Sequence, residues 1–390
     1  MNTVTQQLDK IAQLVTSHEG KLQFSSKKNH IIVIYAMLLI LGLCGCLAIY
    51  SATFSSSSPK FFVIKQFLWL VAGLLTLWCS SIIKFKYYLK LILPIIGIFY
   101  ALLILVLIRG HQVNGMNGWF EIPVKLFSFK CYFQPSEVAK AFFVLFLAKY
   151  LLNFKNDFKN FCSFSIVAVL WSVPIMLQPD LGTLLIYAIA MLFYFVTQVK
   201  RWQYILLWSL PLIVALMWIF FNHSYITERL LGFLYPEADP LNSGWHINQF
   251  RYTIARGGLT GASWGNAIWA NNFLPLAHSD SAYASISEAC GFTGMFIVCL
   301  SLASLSYCGF YLAEYTQNLV ARRFILGATI IFSTQTLLHM AVNLTIFPTT
   351  GITLPILSYG GSSMIATMLL FGIMISAAKC ENTANNNNLK

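Results

Sequence analysis

Residues 91–108 read LILPIIGIFYALLILVLI, a run without a single charged side chain. A helix needs about 20 mostly apolar residues to cross the hydrocarbon core of a bilayer, so this run is predicted to be a transmembrane helix. Similar runs lie between charged or Pro- and Gly-rich breaks at 31–51, 61–82, 137–152, 162–177, 182–199, 203–221, 283–307, 324–345 and 359–378. We therefore predict an all-α polytopic membrane protein with about ten transmembrane helices.

The composition of the whole chain agrees with this fold class. Its 390 residues are 58% hydrophobic and 10% charged, with a mean hydropathy of +0.69. Because a soluble domain carries about a quarter charged residues, the composition excludes a cytosolic enzyme, a disordered chain and a nucleic-acid-binding protein. The formal net charge of +12 requires an anionic partner, and we expect anionic lipid at the cytoplasmic face of the membrane.

The distribution of positive charge predicts the orientation. With the N-terminus inside, roughly two thirds of the 25 Lys and Arg residues fall in cytoplasmic segments, as the positive-inside rule requires. Both termini are therefore predicted to be cytoplasmic. Residues 1–30 form a cytoplasmic N-terminal segment, 31–378 the transmembrane domain and 379–390 a disordered cytoplasmic tail. An extracytoplasmic loop at about 222–282 joins predicted helices 7 and 8.

Most of the 13 Asp and Glu residues fall on the predicted outer side, which points to chemistry there. Asp280 lies next to His278, just before the eighth apolar run, where an ionised carboxylate could take a proton from an attacking hydroxyl. Its alternative role is to cap the following helix. Glu288, about two turns further on, is predicted to share a helix face with Asp280. It either faces a water-filled cavity or bonds a Ser or backbone group.

Basic side chains supply candidate anion-binding groups. Lys140 lies three residues after Glu137 at the start of the fourth helix. The two form either a local salt bridge or a site in which Lys140 binds an anionic head group such as pyrophosphate. In the long loop, Arg229, Arg251 and Arg256 either bind a phosphate or pair with the carboxylates of the same loop.

A glycine-containing turn, residues 358–363, precedes the last helix and includes Ser362, a candidate substrate-binding residue. Its glycines allow the backbone to approach either a ligand or a neighbouring helix. The nine Cys residues suggest neither a disulfide framework nor a metal site, since most lie inside apolar runs and lack ligand spacing. No metal ligand is predicted.

Individually modest motifs follow one another in a specific order. They are Asn114-Gly115, Gln134-Pro135-Ser136-Glu137-Val138-Ala139-Lys140, Gln178-Pro179-Asp180-Leu181-Gly182-Thr183, Pro236-Glu237-Ala238-Asp239-Pro240 with Ser243-Gly244, Leu274-Pro275 with His278 and Asp280, and Leu354-Pro355 with Ser358-Tyr359-Gly360-Gly361-Ser362-Ser363. In type, order and spacing this series resembles the SEDS family (shape, elongation, division and sporulation). The resemblance extends over about residues 30–378.

This resemblance implies a ten-helix fold and a peptidoglycan glycosyltransferase that polymerises lipid II at the outer face of the bacterial inner membrane. It also implies a class B penicillin-binding protein as partner, within a divisome or elongasome. Asp280 matches the catalytic Asp of the family, and Glu137 and Lys140 match its functional pair on the fourth helix. The leaving pyrophosphate needs a cation, for which Lys140, Arg229 and Arg251 are candidates. A divalent cation such as Mg²⁺ or Mn²⁺ could assist, but no ligand cluster requires one.

Three positions depart from the family pattern: Leu276 stands where the family usually has Glu, Ser281 where it has Phe, and Gly118 where it commonly has Arg. The loss of an acid and a base together suggests a lost salt bridge. Other motif residues, such as Gly265-Asn266, favour a division-type over an elongation-type member. Two other functions remain open, a lipid II flippase or other transporter and a non-catalytic scaffold for a transpeptidase.

Overall fold

The computed structural model of the chain describes residues 2–56, 58–113, 116–124, 129–153, 158–198, 203 and 224–380. Within these ranges the protein is a mostly helical multi-pass membrane protein. Its helices are α1 (Asn2–Ala52), α2 (Pro59–Ile82), α3 (Phe85–Arg109), α4 (Pro135–Tyr150), α5 (Phe158–Leu177), α6 (Leu181–Gln198), α7 (Ser224–Leu234), α8 (Trp245–Gly257), α9 (Ile268–Asn272), α10 (Ala282–Glu314), α11 (Leu319–Asn343) and α12 (Gly361–Ala378).

Seven apolar helices in the described part of the chain are long enough to cross a membrane, namely α2, α3, α5, α10, α11, α12 and the Lys27–Ala52 part of α1. The apolar part of α6, Leu181–Thr197, is shorter, and α4 has 16 residues. Every predicted apolar run coincides with a helix except 203–221, which lies outside the described residues apart from Gln203. The number of crossings and the cytoplasmic location of the termini stay predictions.

Helix α12 lies at the centre of the bundle, and nearly all of its residues from Ser363 onward are buried. Its contact with α2 is made through small residues. A Cβ at Gly361 would collide with the indole ring of Trp69, and a Cβ at Gly372 would collide with the Ser80 hydroxyl. Small residues let membrane helices approach closely enough for extensive van der Waals contact. At Gly361 the close neighbour is therefore another helix.

A three-stranded antiparallel sheet lies between α3 and α4, in the order β1 (His111–Val113), β2 (Met116–Val124) and β3 (Phe129–Phe133). The register pairs Phe120 with Phe133 and Ile122 with Cys131. The apolar pattern of the sequence predicts no strands here. The sheet connects two helices without interrupting the bundle, and β3 leads directly into α4.

Helix α10 is broken at Gly291, whose φ of 65° is not helical. The break leaves main-chain groups without helical partners, and such groups must be satisfied when they lie within protein at a membrane. The segment 258–263 supplies the partners. Four hydrogen bonds join the two stretches: Ala262 to Glu288 (2.8 Å), Ser263 to Ala289 (2.9 Å), Phe292 to Gly258 (2.9 Å) and Thr293 to Leu259 (3.1 Å), each from an amide to a carbonyl.

Glycine is required at this break for two reasons. The φ of Gly291 is in the left-handed region, and a Cβ there would lie 2.5 Å from the Gly261 nitrogen. Gly261 also has a positive φ, and its Cβ would collide with the Ala289 carbonyl. The two glycines therefore permit the inserted segment to lie directly against the broken helix.

We expect Gly291→Ala to lower the free energy of unfolding by about 1–3 kcal/mol, because Ala would be strained at this φ and would collide with the inserted segment. The measurement is thermal unfolding of the purified protein in detergent. Gly97→Ala is the matched control, since no atom of the described residues lies within 4 Å of the Cβ position at Gly97 and Ala favours a helix interior. Equal stability of the two variants would contradict the assignment of strain to Gly291.

Candidate active site

Asp280 lies in a tight loop between α9 and α10. Leu276, with a φ of 48°, turns the chain so that its carbonyl accepts hydrogen bonds from the amides of Ser279 (2.9 Å) and Ser281 (3.2 Å). The Ser281 hydroxyl donates to the Pro275 carbonyl at 2.5 Å. Since α10 begins at Ala282, Asp280 is outside the helix. The prediction that it shares a helix face with Glu288 is therefore wrong.

The main chain around Asp280 is held from outside the loop as well. The carbonyls of residues 278–280 each accept a hydrogen bond from a different donor. The Tyr359 amide donates to the first at 2.8 Å, the Ser358 hydroxyl to the second at 2.6 Å and the Asn343 side-chain amide to the third at 3.0 Å. Two of these donors precede α12 and one ends α11. The position of the carboxylate is thus determined by the helix bundle.

Two cavities meet at Asp280. One has a volume of about 690 Å³ and the other about 320 Å³. Both are lined by the same five residues, Met116, Leu276, Asp280, Gly351 and Ile352. The half-buried Asp280 is the one carboxylate in this shared wall, so its side chain can act on molecules in either cavity.

The larger cavity has a polar wall contributed by α7 and by the residues around the start of α8. Glu228, Arg229, Asn242 and His246 are on this wall. The half-buried Arg229 guanidinium donates to the Thr349 carbonyl at 3.1 Å. Among the predicted basic residues, Arg229 is therefore the one that lines a cavity together with Asp280.

Burial raises the pKa of Asp280 to about 6. The nearby charge of Asp180 also raises it, whereas a hydrogen bond with the Ser279 side chain and the positive charge of Arg229 lower it. A carboxyl group with a pKa near neutrality suits a general base, because it is largely ionised at pH 7 and still accepts a proton readily. Burial also lowers the pKa of the His246 imidazole, as does the charge of Arg229.

The smaller cavity has aromatic and acidic walls. Its aromatic side chains are Trp69, Trp119, Tyr132 and Tyr359, and its charged side chains besides Asp280 are Lys65, Glu137 and Asp180. Asp180 accepts hydrogen bonds from the Gln134 side chain at 2.9 Å and from the Thr183 amide at 3.0 Å. Burial raises the pKa of Asp180, while the Thr183 bonds and the charge of Lys140 oppose that rise.

Lys140 lies beside Glu137, which lines the smaller cavity, but Lys140 itself is in the lining of neither large cavity. Its ammonium donates to Glu137 at 2.7 Å and to the side-chain oxygen of Gln335 at 2.7 Å, and only 4% of the residue is exposed. Gln335 in turn donates to the Thr353 carbonyl at 3.1 Å. The local salt bridge considered from the sequence is present. Direct substrate binding by Lys140 stays a prediction.

Ser362 lines the smaller cavity and also joins the sheet to the last helix. Its hydroxyl donates to the Tyr132 carbonyl at 2.8 Å and accepts from the Gln134 amide at 3.1 Å. The His278 ring packs between Phe62 and Tyr359, with centroids 5.4 and 5.3 Å away, and is outside the lining of both cavities.

Glu288 is fully buried and lies away from both cavities. Its carboxylate accepts hydrogen bonds from the amides of Trp269 (3.1 Å) and Ala270 (2.6 Å), in the first turn of α9. The same group forms an ion pair with Arg256 at 3.1 Å. Of the two alternatives considered from the sequence, bonding to backbone groups is the one observed. Arg251 is exposed on α8 and lines neither cavity.

Several residues of the site were not singled out from the sequence. Lys65 lies in the smaller cavity with its ammonium 5.7 Å from the Tyr359 ring centroid, and Asn343 holds the Asp280 carbonyl. A charged residue inside an apolar run was a usable signal for Lys65.

In the described part of the chain no three His, Cys, Asp or Glu side chains converge as metal ligands.

Comparison with known proteins supplies the family. A family model for cell cycle proteins of the FtsW, RodA and SpoVE type matches residues 29–383. The probable peptidoglycan glycosyltransferase FtsW of Aliivibrio salmonicida is 32% identical over 363 residues, covering 86% of this chain and 85% of that protein. The probable peptidoglycan glycosyltransferase FtsW of Pseudoalteromonas translucida is 28% identical over 363 residues, covering 88% and 87%.

Two solved structures have the same fold. A chain from a peptidoglycan synthase complex that coordinates polymerization and crosslinking gives a TM-score of 0.74 at 25% identity, covering 90% of this chain and 98% of that one. The rod shape determining protein RodA of Thermus thermophilus gives 0.65 at 24% identity, covering 90% and 95%. The resemblance indicated by the sequence motifs is confirmed, and the chain belongs to the FtsW/RodA/SpoVE family of cell cycle proteins.

Proposed function

We propose that this protein is a peptidoglycan glycosyltransferase that polymerises lipid II into glycan strands. The observation that carries the proposal is the location of Asp280 at the junction of two cavities, with its pKa raised to about 6. The names of the relatives support it, since the curated ones reported above are probable peptidoglycan glycosyltransferases. Asp280 also stands at the position that matches the family's catalytic Asp.

The junction suits a reaction between two large substrates. Polymerisation brings an acceptor sugar hydroxyl to the anomeric carbon of a donor that carries a lipid pyrophosphate. Asp280 takes the proton of the hydroxyl as its oxygen bonds to that carbon. The bond from the carbon to the pyrophosphate oxygen breaks, and the lipid pyrophosphate leaves with the electron pair. With one substrate in each cavity, a base in the shared wall can reach the bond that forms.

Arg229 is the proposed cation for the leaving pyrophosphate. It lines the larger cavity with Asp280, and a guanidinium forms strong hydrogen bonds with phosphate oxygens. Lys140 is less suited to this role, because its charge is balanced at 2.7 Å by Glu137. The larger cavity is thus assigned to the donor and the smaller, with its aromatic walls, to the acceptor. Binding by Arg251, His278 and Ser362 stays a prediction.

The proposed setting follows from the family and from the charge distribution. We propose a bacterial inner membrane protein with its catalytic loop outside, paired with a class B penicillin-binding protein in a divisome or an elongasome. A solved chain with the same fold comes from a synthase complex of polymerization and crosslinking, which supports a transpeptidase partner. The many FtsW relatives support a role in division.

Asp280→Asn is expected to reduce glycan strand formation by at least about 100-fold, because the amide cannot accept the hydroxyl proton. The assay uses purified protein with and without a class B penicillin-binding protein, and labelled lipid II as substrate. Glu237→Gln is the control, since Glu237 is exposed in the same loop and lines neither cavity. Strands that persist in Asp280→Asn would refute Asp280 as base. No strands from wild type under any pairing would favour a flippase or scaffold.

The rate of the wild-type enzyme is expected to fall as pH decreases through about 6, because the base must be ionised and its folded-state pKa is about 6. Above that pH the carboxylate is available, and below it the group is protonated. Ser279→Ala should move this midpoint to higher pH, since the Ser279 hydrogen bond lowers the pKa of Asp280. Initial rates of strand formation between about pH 5 and 8 test both expectations. A rate that stays constant down to pH 5 would contradict this role.

Glu288→Gln is expected to impair the enzyme less than Asp280→Asn, because Glu288 caps α9 and pairs with Arg256 without lining a cavity. Gln keeps an acceptor for one of the two α9 amides, so we expect a loss of about 1–3 kcal/mol in stability and a rate within about tenfold of wild type. Thermal unfolding and the lipid II assay measure the two effects. An equal loss of rate in both variants would place Glu288 in the chemistry.

A further inference from the structure

We propose that Asn343, oriented by His339, is a positioning residue for Asp280. The inference rests on the proposed function, in which Asp280 is the base. Neither residue lines either of the two cavities that meet at Asp280. Both are in the last turns of α11, where Asn343 is fully buried and His339 is 1% exposed. Two adjacent buried polar side chains are costly unless each is fully hydrogen-bonded.

The Asn343 side chain holds both ends of the Asp280 segment. Its Nδ2 donates to the Asp280 carbonyl at 3.0 Å, and its Oδ1 accepts from the Ala284 amide at 3.0 Å. The Ala284 amide belongs to the first turn of α10, where an amide has no helical acceptor. One side chain therefore determines the distance between the base and the start of the next helix.

His339 helps to fix the orientation of the Asn343 side-chain amide. Its Nδ1 lies 2.7 Å from the Ile352 carbonyl, which can only accept, so Nδ1 carries the proton. Its Nε2 is then an acceptor and faces Asn343 Nδ2 at 3.3 Å. Asn343 Nδ2 also donates to the His339 carbonyl at 3.0 Å. A reversed Asn343 amide would put its oxygen against three acceptors, the Asp280 and His339 carbonyls and His339 Nε2, and its NH₂ against the Ala284 amide. The carbonyl and the neutral imidazole of His339 thus both favour the orientation in which Asn343 donates to Asp280.

The network also connects the two sides of the catalytic junction. Asp280 and Ile352 both line both cavities, and their carbonyls are the two main-chain groups that the network binds outside the helices. Asn343 and His339 therefore set the separation of the base from Ile352 within the wall that the two cavities share. A displacement of about 1 Å in such an arrangement can lower a rate about 100-fold.

The first test measures position without relying on catalysis. Hydrogen–deuterium exchange of the peptide that covers residues 276–288 is compared in wild type, Asn343→Leu and Thr336→Val. We expect exchange at Ala284 and its neighbours to accelerate about tenfold or more in Asn343→Leu, because the amide loses its acceptor. Thr336→Val is the matched control on α11, since the Thr336 hydroxyl is buried and has no hydrogen-bond partner among the residues that the structure describes. It should exchange like wild type.

The second test separates positioning from loss of folded protein. In Asn343→Leu we expect turnover to fall about tenfold with KM within about twofold, since no substrate contact is lost. The midpoint of the acid limb should also move at least about half a pH unit lower, because a released carboxylate gains water. Loss of folded enzyme would lower the rate by the same factor at every pH and leave the midpoint of the acid limb unchanged. The titratable or charged groups sharing the cavities with Asp280, all retained in these variants, are Lys65, Tyr132, Glu137, Asp180, Glu228, Arg229, His246 and Tyr359.

A pair of substitutions at His339 keeps the proposal testable if Asn343→Leu does not fold. His339→Asn retains a donor for the Ile352 carbonyl and should keep a rate within about threefold of wild type, whereas His339→Leu should lose about tenfold. Equal effects of the two, or wild-type exchange and an unchanged midpoint in Asn343→Leu, would overturn the proposal. If Asp280→Asn were fully active, the proposed base would be wrong, and the exchange experiment would still decide whether Asn343 holds this segment.

Discussion

The break in α10 at Gly291 is the constraint on which the catalytic loop depends. A helix that stops within a membrane bundle leaves amides and carbonyls that cannot remain unpaired. The segment 258–263 satisfies them with four main-chain hydrogen bonds, and this attaches the long loop to the bundle. Glu288 adds a second attachment from the same turn of α10 by capping α9. The loop that carries Asp280 is therefore connected at both ends to one helix.

The transmembrane helices could be predicted from composition because a single physical effect, the need to satisfy main-chain hydrogen bonds in the bilayer, decides their structure. The apolar runs became helices because only a helix satisfies all main-chain groups in a bilayer. The sheet was not predicted because its short strands show no clear alternation of apolar and polar residues. The Asn114-Gly115 pair in the sequence is nevertheless a hairpin signal. For Glu288 the sequence left two alternatives. Its acceptor role depends on amides 18 and 19 residues away, and no local pattern contains that information.

In the candidate site too, residues within a local motif could be predicted from the sequence, whereas residues brought together only by the fold could not. Asp280 was identified through its resemblance to a family motif, because a lone loop carboxylate has many ordinary roles. Lys65, Asn343 and His339 come from helices that meet only in the fold, so their convergence on the junction could not be predicted. Lys140 was predicted with its local partner, and the i,i+3 spacing to Glu137 was sufficient for that pair. What spacing could not predict was Gln335 as the second acceptor.

Some charged side chains of the membrane domain pair with one another, whereas others line the cavities that meet at Asp280. Lys140 and Glu137 balance each other at 2.7 Å, as do Arg256 and Glu288 at 3.1 Å. Burying an isolated charge is costly, whereas a paired and hydrogen-bonded one is tolerated. Asp280 and Arg229 both line the larger cavity, and the positive charge of Arg229 lowers the pKa of Asp280. Burial shifts the pKa of both toward the neutral form. A carboxylate and a guanidinium that line the same cavity suit a reaction that releases a proton and expels an anion.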